Sequence, residues 1–177
     1  MAAYEQLATL LAYPTADLAR NAARCAEALA ANPPAAAEAR AFAGAVRATA
    51  PGRLEELYSA TFDLSPACCP YLGYHLFAES PKRAVLMVHL KEEYQRVGLE
   101  VGTELPDHLC LLLRFLARGE DEALAAELNA ELLLPGLVKM VGSLADGENP
   151  YAHALRATLL AAQAEQPAAA GGGACDE

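Results

Sequence analysis

The sequence predicts an all-α fold, a single-domain helical bundle of roughly eight or nine helices, given a usual length of ~11–12 residues per helix. Alanine and leucine, both strong helix formers, dominate the 177 residues. Apolar residues recur at helical spacing, and no segment shows the alternation expected of a strand. We expect one helical domain over residues 1–166, followed by a disordered low-complexity tail at 167–177.

Prolines delimit the helices of the N-terminal third. The first helix begins at Ala2 and is stopped before Pro14, and Pro33 separates the second helix from the third. Pro51 and the glycine after it precede a fourth helix that reaches about Thr61. The segment 62–79 contains two prolines, a glycine and several aromatic residues. It is therefore predicted to be an ordered connection without a helix.

Cap signals also mark the next helix. Ser80 and Pro81 are typical of an N-cap and a first helical turn, and Gly98 is a natural stop. The residues predicted to face inward share one side of this helix. They are Ala84, Met87, Leu90, Tyr94 and Val97.

The following helix is predicted to begin at Pro106 and to end before Gly119. Its leucines surround almost the whole circumference, which indicates a helix buried in the middle of the domain. Asp107 would lie in its first turn and complement the helix dipole, so we expect its loss to cost only ~0.3–1 kcal/mol. Two further helices are expected on either side of Pro135, and Asn149 caps a last one.

The charge balance limits the partners. The chain has 13 lysines and arginines against 23 acidic residues, a net charge of −10. Phosphate backbones and anionic lipid surfaces repel such a protein, whereas a basic peptide would be attracted. Polar residues interrupt every apolar run, and the N-terminus lacks the pattern of a signal peptide. We expect a cytoplasmic protein that neither binds nucleic acid nor inserts into a membrane.

Two adjacent cysteines, Cys68 and Cys69, lie six to seven residues before His75. Adjacent cysteines are poorly placed for tetrahedral chelation, and no second Cys-x-x-Cys pair follows. A disulfide between them would be strained, because neighbouring Cα atoms lie only about 3.8 Å apart. The ordinary interpretation is one thiol packed as a small hydrophobe and one near the surface. A small thiol- or metal-binding protein that uses these three residues remains the alternative function.

The sequence contains no recognisable catalytic motif, and we predict neither an enzyme nor a bound cofactor. The cluster "ELPDHL" places Glu104, Asp107 and His108 where a loop meets the most buried helix. It is either an ordinary acidic helix start or a polar anchor for a bound peptide. Tyr58 and Phe62 share one helical face. They belong either to the core or to the lining of a groove.

Three stretches carry a family resemblance: "LEELYSATFDLSP", "YHLFAESPKRAVLMVHLKEEYQRVGLE" and "ELPDHLCLLLRFLA". Together, in this order and at this spacing, they resemble the molybdoenzyme assembly chaperones typified by NarJ, with TorD and DmsD as relatives. The resemblance runs from about Leu54 to Ala117 and is closest to the nitrate reductase chaperones. It does not extend to the alanine-rich ends of the chain.

The resemblance implies a helical chaperone without catalytic activity. Such a protein binds the N-terminal segment of a molybdopterin-enzyme catalytic subunit, of nitrate reductase or a related enzyme. It keeps that subunit competent for molybdenum cofactor insertion before membrane attachment or export. The Cys-Cys-Pro-Tyr segment departs from the family pattern and leaves the identity of the client open. By resemblance, the peptide-binding residues are Tyr58, Phe62, Arg83, Tyr94, Glu104, Asp107 and His108.

Overall fold

The structure, a computed structural model, describes residues 2–64, 68–144 and 149–166. Within these ranges it contains ten α-helical segments and no strand. The segments are α1 (Ala2–Leu10), α2 (Leu18–Ala28), α3 (Pro33–Ala48), α4 (Pro51–Tyr58), α5 (Leu72–Phe77), α6 (Pro81–Arg96), α7 (Leu109–Arg118), α8 (Glu122–Leu128), α9 (Leu134–Ser143) and α10 (Tyr151–Ala164).

Two π-helical turns modify this pattern. Ser59–Asp63 extends α4, and Asn129–Leu133 joins α8 to α9 without a break. The described ranges therefore hold nine separate helices, and the predicted all-α fold is confirmed. The tail expected at 167–177 and residues 65–67 of the connection lie outside the described residues, so the predicted domain limits stay a prediction.

Several of the local stop and start signals act as predicted. Pro33, Pro51 and Pro81 occupy the first helical turns of α3, α4 and α6. Gly98 and Gly119 adopt positive φ angles of 64° and 62° just beyond α6 and α7, a conformation that glycine reaches without steric cost. These positions depend on backbone chemistry within one helical turn, and this is why the sequence alone identifies them.

Three local predictions are wrong. The connection 62–79 contains a short helix, α5. The buried helix α7 begins at Leu109 rather than at Pro106, because residues 107–109 pair with 70–72 instead of coiling. The two helices expected around Pro135 are continuous, since the π-helical turn before it accommodates the residue that lacks an N–H group.

The core forms around α7, as predicted. Leu112 and Leu113 are fully buried, and α7 packs against α1 while α10 packs against α3 and α9. An aromatic cluster lies beside α10, and its members are Tyr13, Phe42, Tyr58, Phe62 and Tyr151. No helix in the described ranges combines the length and apolarity that crossing a membrane requires.

The predicted inward face of α6 is only half correct. Leu90 and Tyr94 are buried, but Ala84 is exposed and Met87 is half-buried. The first two turns of α6, residues 81–87, contain no buried side chain, and the main packing partner of this helix is the short α5. This part of α6 therefore borders a surface rather than the core.

Candidate functional site

The site is organised by a short pairing between two distant segments. Leu72 donates its backbone N–H to the Asp107 carbonyl at 2.9 Å, and Leu109 donates to the Pro70 carbonyl at 2.7 Å. The residues between them, Tyr71 and His108, form an isolated antiparallel bridge, with ring centroids 5.6 Å apart. The N-termini of α5 and α7 are thereby held side by side.

A buried ion pair fastens α6 to this junction. Arg83 donates from Nε to Asp107 Oδ2 at 2.7 Å and from Nη2 to Asp107 Oδ1 at 3.3 Å, a bidentate contact. The Asp107 side chain is 0% exposed and that of Arg83 is 11% exposed. Asp107 therefore does not act as a dipole-complementing residue in the first turn of α7. It precedes the N-cap and neutralises a cation from another helix.

Two tyrosines flank the same guanidinium group. The Arg83 Cζ atom lies 5.8 Å from the ring centroid of Tyr71 and 5.6 Å from that of Tyr74. Both distances suit a cation–π contact. The hydrogen bonds that Arg83 donates to Asp107 raise the pKa of Arg83 above its already high value, so the group stays charged. The charged guanidinium group is thus held in a fixed position by Asp107 and the two tyrosines.

An open concavity of about 350 Å³ lies against this arrangement. Tyr71, Tyr74 and Arg83 form one side, and Leu64 and Leu105 line it with apolar surface. The two leucines are 77% and 42% exposed, which is unusual for side chains of this size.

Carboxylates surround the concavity. Asp63 and Glu79 are exposed lining residues. Glu104, beside Leu105, accepts a hydrogen bond from the Tyr71 hydroxyl at 3.2 Å. An apolar surface with an acidic rim is chemically suited to an amphipathic segment that carries basic side chains.

Tyr58 and Phe62 lie in the core. Their rings are 4.9 Å apart and belong to the aromatic cluster, and Tyr58 donates its hydroxyl to the Leu11 carbonyl at 3.4 Å. Burial is the main cause that raises the pKa of Tyr58. The π-helical turn that begins at Ser59 leads from this cluster to Leu64. Both aromatic residues thus support one wall of the concavity from behind.

Tyr94 supports the part of the concavity that Leu105 lines. Its side chain is fully buried, packs on Phe115 with ring centroids 5.3 Å apart, and donates its hydroxyl to the Pro106 carbonyl at 3.0 Å. This hydrogen bond fixes the loop that carries Glu104 and Leu105.

His108 is the N-cap of α7. Its Nδ1 accepts a hydrogen bond from the Cys110 backbone N–H at 3.1 Å, which requires Nδ1 to be unprotonated. Burial lowers the pKa of His108 below its usual value of 6.5, because the charged form would lose solvation.

We expect His108 to make stability depend on pH. As the pH falls below about 6.5, the unfolded chain protonates this residue while the folded chain does not, so the free energy of unfolding decreases. His108→Asn keeps an acceptor at the cap but cannot titrate. Urea unfolding between about pH 7.5 and about pH 5.5 should show a smaller decrease for this variant than for the wild type.

Two comparisons distinguish the effect of losing the helix cap from the effect of losing the titratable side chain. Burial also lowers the pKa of His75, but this contribution is common to both proteins and cancels. His108→Ala should show the same small pH dependence as His108→Asn, yet be less stable at neutral pH by about 1 kcal/mol because the cap is lost. Equal pH dependence in all three proteins would contradict the assignment.

The two cysteines point in different directions. The Cys68 thiol is buried and lies 3.9 Å from the Met140 carbonyl, and burial raises its pKa to about 11. The half-buried Cys69 thiol lies 3.8 Å from Nε2 of His75. No group of three potential metal ligands is found among the described residues. The expectation of one packed thiol and one near the surface is met.

Sequence reasoning missed several residues of this site. Tyr71 and Tyr74 form the aromatic side of the concavity, and Leu64 and Leu105 supply its apolar surface. The spacing of three residues in "YLGY" was the available signal, since it places two aromatic rings on one side of a helical turn. The leucines gave no such signal, because the sequence around an isolated loop leucine does not show whether it lines a binding site.

Comparison with known sequences agrees with the predicted resemblance. The chain belongs to the family described as "Nitrate reductase delta subunit", whose model matches residues 6–141.

Individual relatives are similar over parts of the chain. A probable nitrate reductase molybdenum cofactor assembly chaperone NarJ from Bacillus subtilis is 34% identical over 112 residues, which cover 63% of this chain and 60% of that protein. NarJ from Escherichia coli K12, a nitrate reductase molybdenum cofactor assembly chaperone, is 42% identical over 62 residues, or 34% of this chain and 26% of that protein.

A third relative is a probable nitrate reductase molybdenum cofactor assembly chaperone, NarW, also from Escherichia coli K12. It is 38% identical over 101 residues, which cover 56% of this chain and 42% of that protein. The matches thus span 60% or less of the length of these relatives. All three are named as assembly chaperones, in agreement with the prediction of a non-catalytic protein.

Proposed function

We propose that this protein is a cytoplasmic assembly chaperone for a molybdopterin enzyme, nitrate reductase or a related one. It binds the N-terminal segment of the catalytic subunit and keeps that subunit competent for molybdenum cofactor insertion before membrane attachment or export. The family membership supports the general role. The observation that carries the binding site is the acidic, apolar concavity beside Arg83.

The chemistry of the concavity supports an amphipathic basic peptide as ligand. Leu64 and Leu105 provide exposed apolar surface that a peptide side chain would cover. Asp63, Glu79 and Glu104 provide carboxylates for basic side chains, in keeping with the net charge of −10.

Arg83 offers a further contact to the peptide. Asp107 accepts from Nε and Nη2, so Nη1 is left to donate to a peptide carbonyl.

The seven residues suggested by the family resemblance would then divide into two roles. Arg83 and Glu104 contact the peptide directly. The others hold these contacts in position because they are buried behind the concavity, and they are Tyr58, Phe62, Tyr94, Asp107 and His108.

The proposal predicts that Leu105→Ser weakens peptide binding about five- to tenfold, because the apolar contact is lost. Glu104→Gln should weaken it about two- to fivefold and reduce its dependence on salt. Isothermal titration calorimetry with a peptide covering the N-terminus of a nitrate reductase catalytic subunit measures both effects.

Val138→Ser is a matched control. Val138 is an apolar side chain, 56% exposed, on α9 and outside the lining of the concavity. This variant should bind as the wild type does. Lack of binding by the folded wild-type protein contradicts the function, whereas equal weakening by Val138→Ser contradicts only the location of the site.

A further inference from the structure

A second cavity, of about 240 Å³, lies near the other end of α7. Tyr4 of α1 and Leu116 of α7 form two of its walls, and Ala125 and Ala126 of α8 form a third. Leu116 follows the N-cap of α7 by eight residues, or about 12 Å of helix. None of the residues around this cavity lines the concavity beside Arg83.

Two buried oxygen atoms on the lining side chains have no hydrogen-bond partner within the described part of the chain. They are the Tyr4 hydroxyl and Asn129 Oδ1, on residues that are each only 4% exposed. Asn129 Nδ2 donates to the Ala162 carbonyl at 2.9 Å, which fixes the orientation of the amide. Buried polar atoms are rarely left unpaired in native proteins, so a ligand or water is expected to satisfy them.

Asn129 begins the π-helical turn between α8 and α9. Such turns are often found at functional sites. The turn also separates Asn129 from the regular hydrogen-bond pattern of α8. The π-helical turn therefore helps to set the position of the Asn129 side chain in the cavity.

The remaining lining residues make the cavity acidic. Glu122 in the first turn of α8 contributes a carboxylate, and none of the lining residues is basic. Burial, and secondarily the charge of Glu165, raise the pKa of Tyr4, so its hydroxyl stays neutral. An amide oxygen and carboxylates only accept hydrogen bonds. The complementary group is a cation with several N–H donors.

We propose that this cavity binds a primary ammonium group on an aliphatic stem. The ammonium group donates to Tyr4, Asn129 Oδ1 and the carboxylate of Glu122, while the stem contacts Leu116 and the alanines of α8. The volume is below the ~300–1,000 Å³ of pockets for drug-sized ligands. A free alkylamine or a single lysine side chain of a partner protein both supply this chemistry.

NMR titration of the full chain with butylammonium chloride tests the proposal. The side-chain amide resonances of Asn129 should shift and saturate at low millimolar ligand, as expected for so small a molecule. Butan-1-ol, of similar size but uncharged, should cause no saturable shift at equal ionic strength.

Variants connect binding to the cavity. Tyr4→Phe should weaken butylammonium binding about fivefold without lowering the melting temperature, because the hydroxyl has no hydrogen-bond partner to lose among the described residues. Glu122→Gln should weaken binding to a similar extent. Glu131→Gln, an exposed residue that does not line the cavity, should leave it unchanged.

Two short peptides distinguish the possible sources of the ammonium group. One has a central lysine, and the other has norleucine at the same position. Saturable shifts with the lysine peptide alone identify a protein side chain, whereas shifts only with butylammonium identify a free amine. Equal shifts with butan-1-ol mean that the cavity does not recognise charge, and no saturable shift with any of the amines means that it holds only water. Either result, or unchanged binding by Tyr4→Phe, overturns the proposal. Leu105→Ser should not affect this binding, which separates it from the proposed chaperone site.

Discussion

Replacing Arg83 with methionine is expected to lower the free energy of unfolding by about 3–5 kcal/mol. The substitution keeps most of the side-chain volume but leaves the Asp107 carboxylate, which is 0% exposed, without its cation. The energy of solvation lost on burial is then no longer compensated. Urea denaturation of the variant and the wild type at neutral pH measures the difference.

An exposed ion pair provides the control. Arg53 and Glu56 lie 2.9 Å apart, but their side chains are 62% and 69% exposed. Arg53→Met should therefore cost less than about 1 kcal/mol. If both arginine substitutions cost the same small amount, the buried pair does not stabilise the junction of α5, α6 and α7.

The same contact revises the expectation for Asp107. As a residue of an exposed first helical turn it would have contributed only ~0.3–1 kcal/mol. As the buried partner of Arg83, its replacement by alanine should cost about 3 kcal/mol, somewhat less than the loss of Arg83 because the guanidinium group lies nearer to solvent. The two changes share one interaction, so the double variant should be far less destabilised than the sum of the single ones.

The sequence predicted those features that depend on neighbouring residues. Helix α6 begins at Pro81 and ends before Gly98 because of the backbone preferences of these two residues. The all-round distribution of leucines indicated the buried position of α7. These signals act over one or two helical turns and need no knowledge of the rest of the fold.

The site depends on contacts that no local pattern encodes. Arg83 and Asp107 are 24 residues apart, and their pairing exists because residues 70–72 and 107–109 form a bridge. The short helix α5 escaped prediction for the same reason. Six residues that include a glycine have little helical propensity, so packing against α6 and α9 must stabilise them.

Gly73 offers the sharpest test of this junction, because helix propensity and packing predict opposite results. Alanine is favoured over glycine within a helix by about 1 kcal/mol. At position 73, however, an added Cβ would lie 2.7 Å from Asp107 Oδ2 and 3.1 Å from Leu86 Cδ2. We expect Gly73→Ala to destabilise the protein by about 1–3 kcal/mol, as measured by urea denaturation, because the carboxylate must move away from Arg83.

Gly44 is the matched control for this substitution. It lies within α3, and an added Cβ would meet nothing within 4 Å. Gly44→Ala should therefore stabilise the protein by about 0.5–1 kcal/mol. In an Asp107→Ala background the oxygen that opposes the new methyl group is absent. Gly73→Ala should therefore lower the free energy of unfolding much less in that background. A cost that is unchanged in that background would show that Gly73 is required for a reason other than its contact with Asp107.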